Sequence, residues 1–98
     1  MHSRTLGRSG IEVSTMGMGC WAAGGPAWRD DHPIGWGEVD DADSIRAIHR
    51  AFDLGANLFD TAKVYGCGHS ERVLGKAIAV KRDQVVIATK FYSVFDEE

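Results

Sequence analysis

The stretch from Asn57 to Glu71 reads N-L-F-D-T-A-K-V-Y-G-C-G-H-S-E. It begins as an apolar run typical of a buried strand, and that run ends on the carboxylate of Asp60. Tyr65 follows in a loop bounded by glycines, and a helical pattern begins at Ser70. Parallel α/β proteins present reactive groups in this way, at the carboxyl ends of their strands. The stretch therefore predicts a parallel α/β fold with a chemical site at that edge of the sheet.

Composition narrows the class of protein. The chain has 98 residues, 44% hydrophobic and 26% charged, which predicts one small globular unit. A net charge of −3 and a pI of about 5.7 disfavour nucleic acid and anionic membranes as partners. No apolar run approaches the roughly 18 residues of a membrane span, and the start is not a secretory signal. Two cysteines, Cys20 and Cys67, are too few for a disulfide framework, so we expect a cytoplasmic location.

The first 40 residues contain short strands and one long connection. Residues 3–14 predict a β-hairpin around the turn G-R-S-G, and the run M-G-M-G-C-W predicts a strand that ends at Trp21. From Ala22 to Asp40 there is no periodicity, and Trp28 and Trp36 stand between glycines and prolines. Such a long loop is either a functional lid or a connection that its tryptophans hold down, and both interpretations stay open.

The remainder alternates helices and strands. Asp41–Leu54 predicts a helix, with acids at its start and Gly55 just past its end. A second helix is predicted from Ser70, as its N-cap, to Ala79. The predicted strands are Asn57–Phe59 and Val85–Thr89. A hairpin followed by β-α-β-α-β predicts a parallel sheet with right-handed crossovers.

Strand alternation brings three side chains together. Asp60 shares a face with Leu58, and Lys90 lies on the corresponding face of the next strand if the two are parallel neighbours. Burying a carboxylate costs several kcal/mol unless a cation pairs with it, and Lys90 supplies one. Tyr65 on the loop above can then approach the ammonium group. A free phenol titrates at about 10, and a nearby cation stabilises its phenolate, so this arrangement suits proton donation to a carbonyl oxygen.

Three runs carry a family resemblance. They are F-D-T-A-K-V-Y-G-C-G-H-S-E at 59–71, I-A-T-K at 87–90, and the opening T-L-G-R-S-G-I-E-V-S…G-M-G. Together they resemble the aldo-keto reductases across essentially the whole chain. The resemblance implies a (β/α)8 TIM barrel with an N-terminal hairpin at its bottom. It also implies reduction of a small-molecule carbonyl substrate, an aldehyde or ketone, with NADPH as cofactor.

The resemblance also implies roles for single residues. Tyr65 becomes the general acid, Lys90 the cation that makes it more acidic, and Asp60 the carboxylate paired with that lysine. The cofactor is expected to lie against Cys20, Trp21 and Asp60. Trp21 and Tyr65 are expected to line the substrate.

Two departures from the family pattern qualify these expectations. Lys63 stands where bacterial relatives more often carry an acid; it either changes the local field or faces solvent, and we favour the second. A full barrel takes about 250 residues, whereas this chain supplies three of its strands. The residues implied for the catalytic histidine, the nicotinamide stack and the 2′-phosphate are absent. We therefore expect an N-terminal fragment, inactive alone, whose exposed strand edges favour self-association.

Alternatives remain open. The chain could be a non-catalytic truncated barrel module that acts in self-association or in a regulatory complex. The glycines at 17–19 and 66–68 lack the third glycine of a dinucleotide fingerprint, so neither predicts a phosphate loop. Cys67, His69 and Glu71 resemble a metal-ligand set, but no P-C-x-x-C follows, and we predict no metal.

Overall fold

A computed structural model of the chain describes residues 1–26, 28–29, 32–33 and 37–91. Its elements follow in the order β1, β2, β3, β4, β5, α1, β6, α2 and β7. Their bounds are β1 Ser3–Thr5, β2 Glu12–Ser14, β3 Met18–Gly19, β4 Trp28–Arg29, β5 His32–Pro33, α1 Asp41–Asp53, β6 Leu58–Asp60, α2 His69–Ile78 and β7 Val86–Ala88. No helix in this described part of the chain is both long enough and apolar enough to cross a membrane.

The predicted hairpin is confirmed, and hydrogen bonds between Ser14 and Asn57 attach it to the main sheet. Strands β1 and β2 pair antiparallel, with Ser3 opposite Ser14. The backbone N–H of Ser14 donates to Asn57 Oδ1 at 2.6 Å, and the N–H of Asn57 donates to Ser14 Oγ at 3.0 Å. This reciprocal pair joins the end of the hairpin to the residue that precedes β6.

The parallel sheet is confirmed, with strand order β3-β6-β7. Its register places Met18 opposite Phe59, and Asp60 opposite Ala88. Strands β3 and β7 are shorter than predicted, whereas β6 has the predicted length and begins one residue later, at Leu58. In particular, β3 ends at Gly19, and Trp21 lies beyond it at the start of a 3₁₀ turn, not at the end of a strand. The run M-G-M-G-C-W overstated the strand because apolar character persists into the turn that follows.

The connection after β3 contains more structure than predicted. A 3₁₀ turn spans Ala22–Gly24, and β4 and β5 form a small antiparallel ribbon. Strands of two residues are too short to produce a period of two in the sequence, so the sequence does not predict this ribbon. The two interpretations of this connection, a functional lid or a loop held down by its tryptophans, depend on the side chains of Trp28 and Trp36. Those side chains lie outside the described part of the chain.

Helix α1 follows the prediction closely. The Asp40 carboxylate accepts the Ala42 N–H at 2.9 Å and caps the helix, as expected for an acid at this end. The helix ends one residue early, at Asp53. Leu54 still donates its N–H to Arg50 O at 3.0 Å, and Gly55 takes the left-handed conformation with φ +104°.

Helix α2 corrects one prediction. It begins at His69, its N-cap is Gly68, and Ser70 is a buried residue of its first turn. Ser70 is not the cap because its hydroxyl donates across the fold to the carbonyl oxygen of Cys20 at 2.6 Å. The helix ends at Ile78 and passes into a 3₁₀ turn, Ala79–Gln84, which precedes β7.

The core lies between the sheet and the two helices. Phe59 from β6 and Ile48 from α1 are completely buried there, and Leu74 from α2 is 1% exposed. The rest of the buried cluster consists of Cys20, Ala23, Val73, Ala77, Ile78 and Val85. On the opposite face of the sheet Leu58 is half-buried and Ala88 is exposed, so the predicted alternation of faces is confirmed.

Candidate active site

Strand register positions the first two groups of the site. Asp60 is the last residue of β6, and its neighbour Ala88 is the last residue of β7. Lys90 follows two residues later and therefore points to the same face as Ala88. Its Nζ donates to Asp60 Oδ1 at 2.9 Å, so the pairing predicted from alternation is present. The loop after β6 brings Tyr65 to the same place.

Lys90 uses all three of its ammonium hydrogens within this site. Besides Asp60, its Nζ donates to the carbonyl oxygen of Thr61 at 2.9 Å and, in a long contact of 3.5 Å, to the hydroxyl oxygen of Tyr65. The ammonium nitrogen also lies 5.2 Å from the centre of the Tyr65 ring. Since the phenol accepts from the lysine, its own proton stays available for another acceptor.

The pKa of Lys90 depends on its pairing with Asp60 and on its partial burial. The Lys90 side chain is 40% exposed and the Asp60 side chain 50% exposed, so the carboxylate is not deeply buried. The hydrogen bond that Lys90 donates to the Asp60 carboxylate raises the pKa of the Lys90 ammonium. Burial opposes that rise, and the contact with Tyr65 adds to it. The lysine therefore stays protonated across the neutral range and holds a positive charge beside the phenol.

A cleft of about 250 Å³ opens beside these groups. Its lining residues are Gly19, Cys20, Trp21, Ala22, Asp60 and Tyr65. The rings of Trp21 and Tyr65 lie 6.2 Å apart between centres and 32° apart in orientation, and Trp21 is 45% exposed. The structure thus brings Trp21, Tyr65 and Asp60 to one cavity.

Cys20 belongs to the same cleft but contributes little surface. It is 1% exposed, and burial, together with the nearby charge of Asp60, raises the pKa of its thiol to about 11. A thiol with that pKa stays protonated at neutral pH, so it acts there as a small apolar side chain and not as a nucleophile.

Two glycines that the sequence analysis did not assign hold the Tyr65 loop in place. A Cβ added to Gly24 would lie 2.7 Å from the carbonyl carbon of Tyr65, and one added to Gly66 would collide with the carbonyl oxygen of Gly24. Gly66 also has φ +63°, a conformation that favours glycine. The glycines are visible in the sequence as G-G at 24–25 and Y-G-C-G at 65–68, but only the tertiary structure shows that the two segments touch.

The remaining candidate residues do not join the site. Lys63 is exposed, as expected. His69 Nε2 lies 2.8 Å from Asp41 Oδ1, and Glu71 accepts from the hydroxyl of Thr89 at 3.0 Å. Within the described ranges no three His, Cys, Asp or Glu side chains gather as a metal-ligand set. His69 and Glu71 instead connect α2 to α1 and to the segment after β7.

The geometry defines the class of protein. A parallel sheet covered by helices, with a lysine, a carboxylate and a phenol at the carboxyl ends of its strands, is part of a TIM-barrel enzyme architecture. The sequence profile of the Aldo/keto reductase family matches residues 15–97, and the chain belongs to that family. Its members are oxidoreductases that act on carbonyl compounds.

Curated relatives agree with this assignment. Aldo-keto reductase YhdN from Bacillus subtilis is 45% identical over 92 residues, which cover 92% of this chain and 25% of that protein. Versiconal hemiacetal acetate reductase from Aspergillus parasiticus is 36% identical over 101 residues, covering 100% of this chain and 28% of that protein. The chain therefore spans about a quarter of the length of these relatives.

Solved structures show the same relationship. The holo form of aldo-keto reductase AKR11C1 from Bacillus halodurans superposes with a TM-score of 0.81 and 30% identity, over 99% of this chain and 28% of that one. An aldo-keto reductase from Klebsiella pneumoniae in complex with NADPH gives a TM-score of 0.69 and 27% identity, over 93% of this chain and 28% of that one. The fold is thus part of a TIM barrel.

Proposed function

We propose that these residues supply the acid–base part of an NADPH-dependent reductase of aldehydes and ketones. The observation that carries the proposal is the position of Lys90 Nζ, which donates to both Asp60 and Tyr65 at the edge of a cleft. A protonated lysine anchored by a carboxylate has a fixed position and charge. It can therefore stabilise the phenolate that forms when Tyr65 gives up its proton.

The chemistry assigned to each residue follows from this arrangement. Tyr65 donates its phenolic proton to the carbonyl oxygen of the substrate as negative charge develops there. Lys90 stabilises the resulting phenolate, and Asp60 keeps the ammonium group from turning away. Trp21, whose ring lies beside Tyr65, provides an apolar wall against which an aldehyde or ketone can rest.

The described residues fit one end of the cofactor. Apart from the chain neighbours of Gly19, no described residue has an atom within 4 Å of the place where a Cβ would stand, so a flat ring could approach the backbone there. Cys20, Trp21 and Asp60 would hold that ring, and bound NADPH supplies the hydride. The cleft of about 250 Å³ is smaller than the ~300–1,000 Å³ of typical ligand pockets. We therefore infer that most of the dinucleotide is held by residues beyond this chain.

The test compares the 98-residue chain with a completed barrel. In the second protein, residues 1–91 replace the corresponding segment of YhdN, and we call this protein the YhdN chimaera. NADPH binding is followed by fluorescence and turnover by NADPH consumption with 4-nitrobenzaldehyde. We expect the chimaera to bind and turn over, and the isolated chain to do neither. A chimaera that folds and binds NADPH without reducing the aldehyde contradicts the proposal.

A second candidate function rests on the open face of the sheet. Within the described residues β3 and β7 each pair only with β6, and Ala88 is exposed on the face opposite the helices. Free edges of this kind favour strand pairing between copies. The alternative is therefore a non-catalytic module that associates with itself or within a regulatory complex. Stable oligomers without NADPH binding in any form of the chain would favour it.

A cytoplasmic location is also proposed. Both cysteines are in the reduced state, Cys20 buried and Cys67 half-buried, and a reducing compartment preserves this state.

A further inference from the structure

We propose that Ser70 is a positioning residue of this site, acting through the Tyr65 loop and the Trp21 turn. Ser70 is completely buried at the start of α2. Its side chain and its backbone bond to two different segments that carry site residues. The inference rests on the proposed function, because it concerns the geometry in which Tyr65 meets the substrate.

The first contact fixes the end of β3. The Ser70 hydroxyl donates to the carbonyl oxygen of Cys20 at 2.6 Å. Cys20 immediately precedes Trp21, and its own N–H donates to the carbonyl oxygen of Asp60 at 2.8 Å. The peptide that leads into Trp21 is therefore held on one side by β6 and on the other by Ser70.

The second contact fixes the Tyr65 loop. The backbone N–H of Ser70 donates to the carbonyl oxygen of Tyr65 at 3.2 Å. Ser70 is thus bonded both to Tyr65 and to the residue before Trp21. The close approach of Gly24 and Gly66 leaves no space for a side chain between the same two segments. Together these contacts set the relative position of the two rings that border the cleft.

The third contact extends the connection to the lysine. Thr61 Oγ1 lies 2.7 Å from Ser70 Oγ, and Thr61 is 1% exposed. A hydroxyl has one hydrogen, and that of Ser70 is used on Cys20, so Thr61 is the donor between the two hydroxyls. The carbonyl oxygen of Thr61 accepts from Lys90 Nζ at 2.9 Å. A buried pair of hydroxyl groups therefore links the segments of all the proposed site residues.

Ser70 is completely buried, so we expect no water molecule to replace the hydrogen bonds of its hydroxyl when that group is removed. Ser70→Ala leaves the Cys20 carbonyl and the Thr61 hydroxyl without their present partners. We expect the Trp21 and Tyr65 segments to separate or rotate, and displacements of about 1 Å in reacting groups lower rates by on the order of 100-fold. We expect this loss to lower kcat, because proton donation from Tyr65 depends on the alignment of the two segments.

The experiment measures kcat and KM for 4-nitrobenzaldehyde in the YhdN chimaera carrying Ser70→Ala, Thr61→Val or Val73→Ala. Val73 is buried in the same helix and is not among the lining residues of the cleft, so its variant controls for lost stability. Ser70→Ala is expected to lower kcat by on the order of 10- to 100-fold with little change in KM. Thr61→Val keeps the Ser70–Cys20 bond and is expected to lose less. Val73→Ala is expected to lower Tm while kcat is kept.

A second readout does not depend on turnover. Ring-to-ring nuclear Overhauser effects between Trp21 and Tyr65 are measured in the same variants, and we expect them in the parent and in Val73→Ala but not in Ser70→Ala. An inactive parent chimaera contradicts the proposed function, and the ring contacts then decide the role of Ser70. Unchanged ring contacts in Ser70→Ala, or a kcat no lower than that of Val73→Ala, overturns the inference.

Discussion

The hydroxyl oxygen of Tyr65 accepts a hydrogen bond from a lysine whose other two donors are already engaged. In the proposed mechanism this arrangement separates two tasks. The bound cation stabilises the negative charge that develops on the phenolic oxygen, and the phenolic proton remains available to the substrate. A lysine held only by solvent could not keep that direction, so Asp60 matters for orientation as well as for charge.

Tyr65→Phe tests the proton donor. Loss of the hydroxyl is expected to lower kcat in the YhdN chimaera by ~10²- to 10⁴-fold, the contribution typical of a general acid. The ring remains beside Trp21, so the Kd for NADPH is expected to stay close to that of the parent. Lys63→Met is the matched surface control, because Lys63 is exposed in the same loop. Equal kcat values in Tyr65→Phe and the parent rule out the assigned role.

The pH dependence of stability tests the Lys90–Asp60 pair. The pKa of Lys90 is raised in the folded chain, so folding favours the protonated amine. The stabilisation is fully present below the unfolded pKa of about 10.4 and is lost as pH rises through the higher folded value. We expect the free energy of unfolding of the parent chimaera to fall over that range. Lys90→Met, measured by urea titration, should lack this fall, and parallel curves would contradict the pair.

At the scale of elements, the loop between β6 and α2 is positioned by backbone contact as much as by side chains. Cys67 adopts a left-handed conformation with φ +54°, between Gly66 and Gly68, which also have positive φ. Such a path is accessible to few residues. The loop turns tightly enough to place Tyr65 over Lys90 and then start α2 within four residues.

A matched pair of glycine substitutions tests this view. Gly66→Ala is expected to destabilise the YhdN chimaera by more than about 1 kcal/mol, because of its positive φ and the collision with Gly24. Gly75→Ala is expected to stabilise it by about 0.5–1 kcal/mol, since Gly75 lies inside α2 with open space around it. Urea unfolding measures both. If the two changes have the same sign, the close contact does not govern the loop.

At the scale of the whole molecule, the sheet has two unequal faces. One packs against α1 and α2 around Phe59, whereas the other leaves Ala88 exposed and Leu58 half-buried. In a closed barrel such a face is filled by side chains from the other strands. The described core therefore lies on the helix side of the sheet, and we expect the other face to be completed by a partner surface.

Light scattering tests that dependence in the isolated 98-residue chain. We expect concentration-dependent association, because free strand edges and a partly apolar face remain open. Ala88→Lys, on the exposed face of β7, is expected to reduce association. Ala79→Lys, at a residue that is also exposed but lies in the turn after α2, is not expected to do so. A chain that stays monomeric at all concentrations, with or without Ala88→Lys, contradicts the expectation.

The sequence by itself determined the alternation of strands and helices, the family, and the pairing of Asp60 with Lys90. The first two rest on periodicity and on motifs of a few residues, and the third rests on the alternation of side chains along two neighbouring parallel strands. The tertiary structure alone decided that Ser70 bonds to Cys20 instead of capping the helix, and that Gly24 and Gly66 touch. Those features join residues up to 50 positions apart, as Ser70 and Cys20 are. No local pattern encodes such contacts, because they arise only when packing has brought the segments together.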